Sequence, residues 1–210
     1  MAVSLGATIT TAIDLNSRTS WTVAHTVDSG TTLLVVASQE GGAISGITYN
    51  GVAMTLFVTA AVQSNKRSIY YLKNPAIGAN NIIVTMNSTS DHGITAWNFS
   101  GNDTTTPMEG ASAPGLDGDS TTITTTVNGE YIVCCMATNN TGSTWTYSTG
   151  TKRLDSASTN LKFASGEQVA TTAGSQTVTW SKSSGTSDNC FAAVKAVTPV
   201  NSNFFTFMPN

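Results

Sequence analysis

Apolar and polar residues alternate in short runs along this chain, and nowhere do apolar positions recur at helical spacing between caps. Trp21 to Val27 alternates cleanly, placing Trp21, Val23, His25 and Val27 on one face. Two runs, Leu33 to Ala37 and Tyr131 to Ala137, are apolar at almost every position. A strand apolar on both faces has no side to offer to water, so each should lie at the centre of a covered sheet. Period-two runs predict further strands at Ile47–Val52, Met54–Val62, Ser68–Leu72, Asn81–Met86 and Ile94–Phe99. A second set follows at Thr122–Val127, Leu161–Ala164, Glu167–Ala170, Gln176–Trp180 and Asp188–Val197. Asn50-Gly51 after Tyr49 is a strong hairpin signal. Ala7 to Asn16 alternates weakly and reads as an edge strand or an arm.

The second set repeats the first. Thr26 to Ser38 returns as Thr126 to Thr138, each copy turning on a Gly-containing tetrad before its apolar strand. Trp145 to Gly150 stands where Ile47 to Gly51 stood, Gln176 to Trp180 matches Ile82 to Met86, and Asp188 to Val197 matches Asp91 to Phe99. The offset drifts only slightly, as it does when loops alone change length. Many short strands separated by Gly, Asn and Pro turns predict an all-β fold. The expectation is an antiparallel, jelly-roll-like β-sandwich over residues 1–200, built from two similar halves at about 20–101 and 120–198. Residues 101–121 carry Pro107, Gly110, Pro114, Gly115 and Gly118, show no period, and read as a crossing loop. The other geometric solution is two tandem immunoglobulin-like sandwiches.

Composition narrows the class of function. Charged residues are 10% of the 210 and apolar residues 40%, so the chain has neither the charge nor the polarity of a disordered one. Thr is about one residue in six and, being β-branched and polar, suits the solvent face of a strand. Net charge is −3 with no Lys/Arg cluster, which argues against nucleic acid. No apolar run reaches membrane-spanning length, and Met1 to Gly6 lacks the basic region and long apolar segment of a Sec-type signal. Synthesis in the cytoplasm, without a Sec-type leader, is expected.

The last ten residues differ from the rest. Beyond Pro199, residues 201–210 hold Phe204, Phe205, Phe207 and Met208, a large apolar load outside the repeated body. Each such side chain gains roughly 1.5–3 kcal/mol when buried. The tail either folds back over its own core or docks on a neighbouring subunit, and these four residues are the candidate subunit-interface set.

Groups that carry chemistry are sparse. His25 lies mid-strand on the Trp21 face and reads as packed; His92, beside Asp91 in a predicted turn at Ser88–Gly93, reads as surface. No nucleophile elbow and no pair of acids set across a cleft stands out, most acids falling in turns, so the chain is expected not to be an enzyme. No His, Cys or Asp cluster has ligand spacing, and no cofactor is expected. Asp117 and Asp119 can offer oxygens to Ca²⁺ but lack a third acid nearby. Cys134 and Cys135 point to opposite strand faces, so at most one meets Cys190; three reduced core thiols are the plainer reading. Sequons at Asn87, Asn98, Asn102 and Asn139 are at chance level in so Thr-rich a chain. Trp145, Tyr147 and Trp180 can stack on a sugar ring, although alternation makes them core positions.

The run Ile47-Thr48-Tyr49-Asn50-Gly51-Val52, followed by Ser68-Ile69-Tyr70-Tyr71-Leu72-Lys73-Asn74-Pro75 and Gly78 to Thr85, resembles β-sandwich modules of phage virion structural proteins and bacterial surface proteins. The likeness covers roughly residues 20–197, and its motifs are turn and strand chemistry. It implies a non-enzymatic part of a decoration, fibre or tail assembly, or of an extracellular filament. The expected partners are further copies of the chain or other virion or filament subunits. A carbohydrate-binding module that meets surface glycans is the alternative.

Overall fold

The structure is a computed structural model that describes residues 1–40, 44–62, 65–113, 120–158 and 161–199. Among the described residues, the Thr-, Val- and Ile-rich runs form fifteen strands. The first half holds β1 (Ser4–Val27), β2 (Leu33–Glu40), β3 (Ile44–Tyr49), β4 (Val52–Ala53), β5 (Thr55–Val62), β6 (Asn65–Lys73) and β7 (Gly78–Ser100). The second holds β8 (Met108–Ser112), β9 (Ser120–Thr125), β10 (Glu130–Thr138), β11 (Trp145–Tyr147), β12 (Thr151–Ala157), β13 (Lys162–Ala170), β14 (Gly174–Lys182) and β15 (Ser187–Val194).

The pairings between these strands are antiparallel, and one pairing diagram occurs twice. β2 lies between β6 and β7, as β10 lies between β13 and β15. β5 flanks β6 as β12 flanks β13, and β3 pairs with β7 as β11 pairs with β14. The halves differ at one corner. β1 and β7 form a continuous ribbon that passes from one sheet into another, Trp21–Val27 facing Gly78–Val84 and Ile9–Asp14 facing His92–Trp97. Register slips between Asp14 and Ser20 bend the ribbon, with Ser17 at φ 47° and Asp14 accepting the Asn16 backbone N–H at 3.0 Å. In the second half the same path is cut into β8 and β9 on one side, β14 and β15 on the other.

The doubly apolar strands have a simple cause. Leu34 and Val36 of β2 face one core with Trp21, Ile47, Ile82 and Val84, inside the first half. Ile132, Cys134 and Met136 of β10 face another with Trp145, Val178, Trp180 and Phe191, inside the second. The opposite faces, Leu33, Val35 and Ala37 against Val133, Cys135 and Cys190, meet in a third core shared by the halves. Each half therefore closes a small sandwich of its own, and their inner sheets pack face to face. The stack has four layers, and β2 and β10 have no wet side. Each fully buried Val or Leu there contributes roughly 1.5–3 kcal/mol.

Polar ties cross the shared core. Trp97 Nε1 donates to Glu167 Oε2 at 2.8 Å, Gln39 Nε2 to the Ala164 carbonyl at 2.6 Å, and Thr95 and Ser165 hydroxyls meet at 2.6 Å. Arg153 Nε donates to Glu167 Oε1 at 2.8 Å, so this buried carboxylate is neutralised as well as bonded.

Two expectations need correction and two are met. Of the two readings of Ala7–Asn16, the edge strand holds: it is the inner-sheet end of β1, paired among the described residues with β7 alone. Ser88–Gly93 is no turn, because β7 runs through it, and His92 is fully buried rather than on the surface. The predicted crossing loop contains β8, and Asn102 in it is buried. The plainer reading of the cysteines holds: Cys135 lies directly opposite Cys190 across β10 and β15, and all three cysteines are buried free thiols.

Candidate functional site

The first and last described segments of the chain come together at one end of the stack. Val3 N–H donates to the Gly129 carbonyl at 2.9 Å, and the Met1 amino group reaches the Val197 carbonyl at 3.3 Å. The segment after β15 is stitched to the loop before β8. Lys195 N–H donates to Pro107 O at 2.8 Å, Asp103 N–H to Lys195 O at 2.8 Å and Val197 N–H to Gly101 O at 3.3 Å. Val3 and Ala196 are buried in the shared core. Two glycines at positive φ make room for residue 2: a Cβ on Gly101 would meet Ala2 O at 2.5 Å, and one on Gly129 would meet Ala2 Cβ at 2.6 Å.

A carboxyl pair lies beneath this junction. Glu130, wholly buried at the start of β10, lies beside Glu109 of β8, and its Oε2 is buried with no basic or N–H partner among the described residues. Glu130 Oε1 accepts the Val127 N–H at 3.0 Å, while Glu109 accepts the Thr126 N–H at 2.7 Å and its hydroxyl at 2.8 Å, with Lys195 Nζ 3.5 Å away. Burial, then the Glu109 hydrogen bond and charge, push the Glu130 carboxyl up to about 8. Burial also works upward on Glu109, but hydrogen bonds from Glu130 and Thr126 and the Lys195 charge outweigh it and hold that carboxyl below its ordinary value. One shared proton thus serves two acids at neutral pH, and the pair fastens the final segment to the β9–β10 turn. Sequence reasoning passed over this pair. Its one signal is a charged residue opening an otherwise apolar run.

Above the pair is an open cavity of about 490 Å³ lined by Met1, Ala2, Val127, Asn128, Ala173 and Pro199. Met1 is 79% exposed there. Residues 200–210 continue from this point. The predicted interface residues Phe204, Phe205, Phe207 and Met208 lie outside the described residues, as do Asp117 and Asp119.

Other candidates are absorbed by the fold. His25 is buried, with Nδ1 2.8 Å from the Thr10 hydroxyl and Nε2 3.0 Å from Asn98 Oδ1; burial lowers its pKa and keeps it neutral. Asp28 accepts the Thr8 N–H at 2.9 Å and hydroxyl at 2.6 Å, which hold its carboxyl below the usual range. Trp145 and Trp180 are buried, and Tyr147 stacks on Trp180 at 4.3 Å between ring centres, leaving none of the three open to a sugar. Of the sequons, Asn98 and Asn102 are buried and Asn87 and Asn139 exposed. Among the described residues no group of three His, Cys, Asp or Glu is placed to hold a metal ion. No family model matches this sequence, and no curated protein or solved structure matches the chain.

Proposed function

We propose that the protein is a non-enzymatic structural subunit that self-assembles, through its two end segments, into a virion component such as a decoration, fibre or tail protein, or into an extracellular filament. The observation that carries this reading is the junction itself. The body gathers Met1–Val3 and Lys195–Pro199 at one point, beside an open cavity lined largely by apolar groups, and the sequence goes on from Pro199 into a segment with three Phe and one Met. An apolar segment that follows directly in sequence on such a junction suits repeated subunit contact. The histidines, and Glu167, Glu130 and Asp28, are engaged in hydrogen bonds that hold strands together, which favours a part that works by contact.

The test is microscopy and sedimentation of the untagged chain beside a variant lacking Phe204–Asn210. The full chain should form rings, fibres or larger particles, and the shortened one a folded monomer. Unchanged assembly after the deletion refutes the role of the tail. A full chain that stays monomeric at every concentration refutes the assembly reading as a whole.

A further inference from the structure

The two halves treat the same sheet edge in opposite ways. β5 and β12 occupy equivalent places, each pairing, among the described residues, on one side only, with β6 and β13. Edge strands are normally blunted by charge, because their unpaired backbone groups invite another chain. β12 follows that rule with Lys152, Arg153 and Asp155, and Lys162 of β13 reaches Asp155 at 2.9 Å. β5, Thr-Leu-Phe-Val-Thr-Ala-Ala-Val, has no charge and no proline. The register makes the comparison residue by residue. Val36 faces Tyr70, which faces Leu56; Met136 faces Ala164, which faces Asp155. Where the second half has an aspartate, the first has a leucine that is 47% exposed. Beside it, between β5 and the edge of β3, the core of the first half opens into a groove of about 550 Å³ lined by Ile44, Ile47, Met54, Leu56 and Tyr70.

We propose that β5 accepts residues 203–208 of a second copy as an added strand, with Phe205 and Phe207 in this groove. The inference rests on the assembly reading and names its acceptor. The fit has three parts. Asn203-Phe204-Phe205-Thr206-Phe207-Met208 is uncharged like the edge it would pair with, and alternation puts Phe205 and Phe207 on one face. Six residues span roughly 20 Å, within the roughly 27 Å of an eight-residue edge. Residues 200–202 remain as a spacer from Pro199, which leaves the body among turns of the second half, whereas β5 belongs to the first. Each copy then has one donor and one acceptor on different surfaces, a heterologous contact that can repeat.

Two full-length variants separate the parts. Leu56→Asp copies the second half's own residue onto the edge and blocks the acceptor; Leu56→Lys is the substitute if Asp disturbs folding by circular dichroism. Phe205→Asp with Phe207→Asp blocks the donor. Each alone should weaken self-association at least tenfold by analytical ultracentrifugation. A 1:1 mixture should form dimers that grow no further, since each then supplies the half the other lacks. Assembly of the Leu56 variant like wild type, with loss in the Phe variant, overturns the edge proposal and leaves the assembly reading standing. Loss in the Leu56 variant alone points to β5 pairing with β5 and overturns the donor. Failure of the mixture to dimerise overturns the pairing of these two surfaces. Normal assembly of both variants, or a monomeric wild type, sinks this proposal and the tail role together.

Discussion

Replacing Glu130 by glutamine should remove the loss of stability that the wild type suffers as pH rises from mildly acidic to mildly alkaline. Glu130 keeps its proton to about 8 in the folded chain, against an ordinary value of 4.5 in an unfolded one. Between those values the folded state holds a proton that the unfolded state has released, so stability falls as pH rises. Each pH unit is worth at most about 1.4 kcal/mol, which sets a ceiling of roughly 5 kcal/mol across the interval. Relaxation around the carboxylate and the nearby Lys195 charge lower that figure, and a loss of about 2–3 kcal/mol is expected. Glu109 has the opposite sign: its lowered pKa contributes stability that is present above 4.5 and lost only as pH falls further. The Glu130 contribution is therefore largest near pH 5 and declines toward pH 8, while His25, held neutral by burial, works the other way as pH falls below its ordinary 6.5. The amide of the Glu130→Gln variant would still donate to Glu109 without titrating. Urea denaturation at pH 5, 6, 7 and 8 measures the difference. The His25 contribution is common to both proteins, so the stability of wild type relative to Glu130→Gln should fall steadily from pH 5 to pH 8. Parallel slopes for the two proteins would refute the shared-proton account.

Gly166→Ala should destabilise by about 1–3 kcal/mol, since its Cβ would meet Tyr147 Cδ1 at 2.8 Å and press on the Thr151 carbonyl. Gly46→Ala, with nothing within 4 Å, should change stability by less than about 0.5 kcal/mol; thermal melts check the pair. The three thiols should resist alkylation in the folded protein and react on unfolding, because burial raises the pKa of Cys134 and Cys135 and Cys190 is buried as well. A native-state reaction at the rate of a free thiol would contradict the packing. Val133→Asp places a charge in the core shared by the halves and should abolish folding, whereas Thr146→Asp on the outer sheet face should be tolerated; soluble expression distinguishes them.

Much of this fold can be read from hydrophobic spacing alone, because each strand declares its own covered faces. Leu33 to Ala37 and Tyr131 to Ala137 state that both sides are buried. They do not state what lies on either side, since the partner of Val35 is a strand from the other half and leaves no local mark. The continuity of β7 through Asn87–Ser90 was illegible for a related reason. A bulged corner in a long ribbon uses the same small polar residues as a true turn, so β7 looks like two strands. The placing of His92 followed from that: a histidine in an apparent turn is in fact inside the inner sheet. Glu130 and Glu109 are far apart in sequence and join only because β8 and the β9–β10 turn meet at one end of the stack. The Phe-rich tail was visible from composition, but its acceptor needs the edge comparison, which exists only once both halves are superposed by register.

That comparison also bears on the form of the assembly. A subunit with two like acceptor edges could branch; one acceptor and one donor permit only a ring or an unbranched chain. The charges on β12 would then serve to keep the second edge closed rather than to stabilise the monomer. The Lys152–Asp155 pair is partly exposed and worth about 0–1 kcal/mol, but Lys152 also donates to the Trp145 carbonyl and Asp155 also meets Lys162, so the two side chains make some contribution to folding. Replacing Lys152 by Thr and Asp155 by Leu makes β12 resemble β5 while leaving the paired side of the strand intact. The expected result is a monomer that still folds, with a melting temperature lowered by a few degrees, whose assemblies branch or precipitate, seen as turbidity and as junctions under negative stain. Blocking the donor with Phe205→Asp and Phe207→Asp in the same chain should restore solubility, because both edges would then lack a strand to bind. Unbranched, wild-type assemblies from the β12 variant would show that edge charge does not decide where copies meet, and the asymmetry between the halves would lose its explanation.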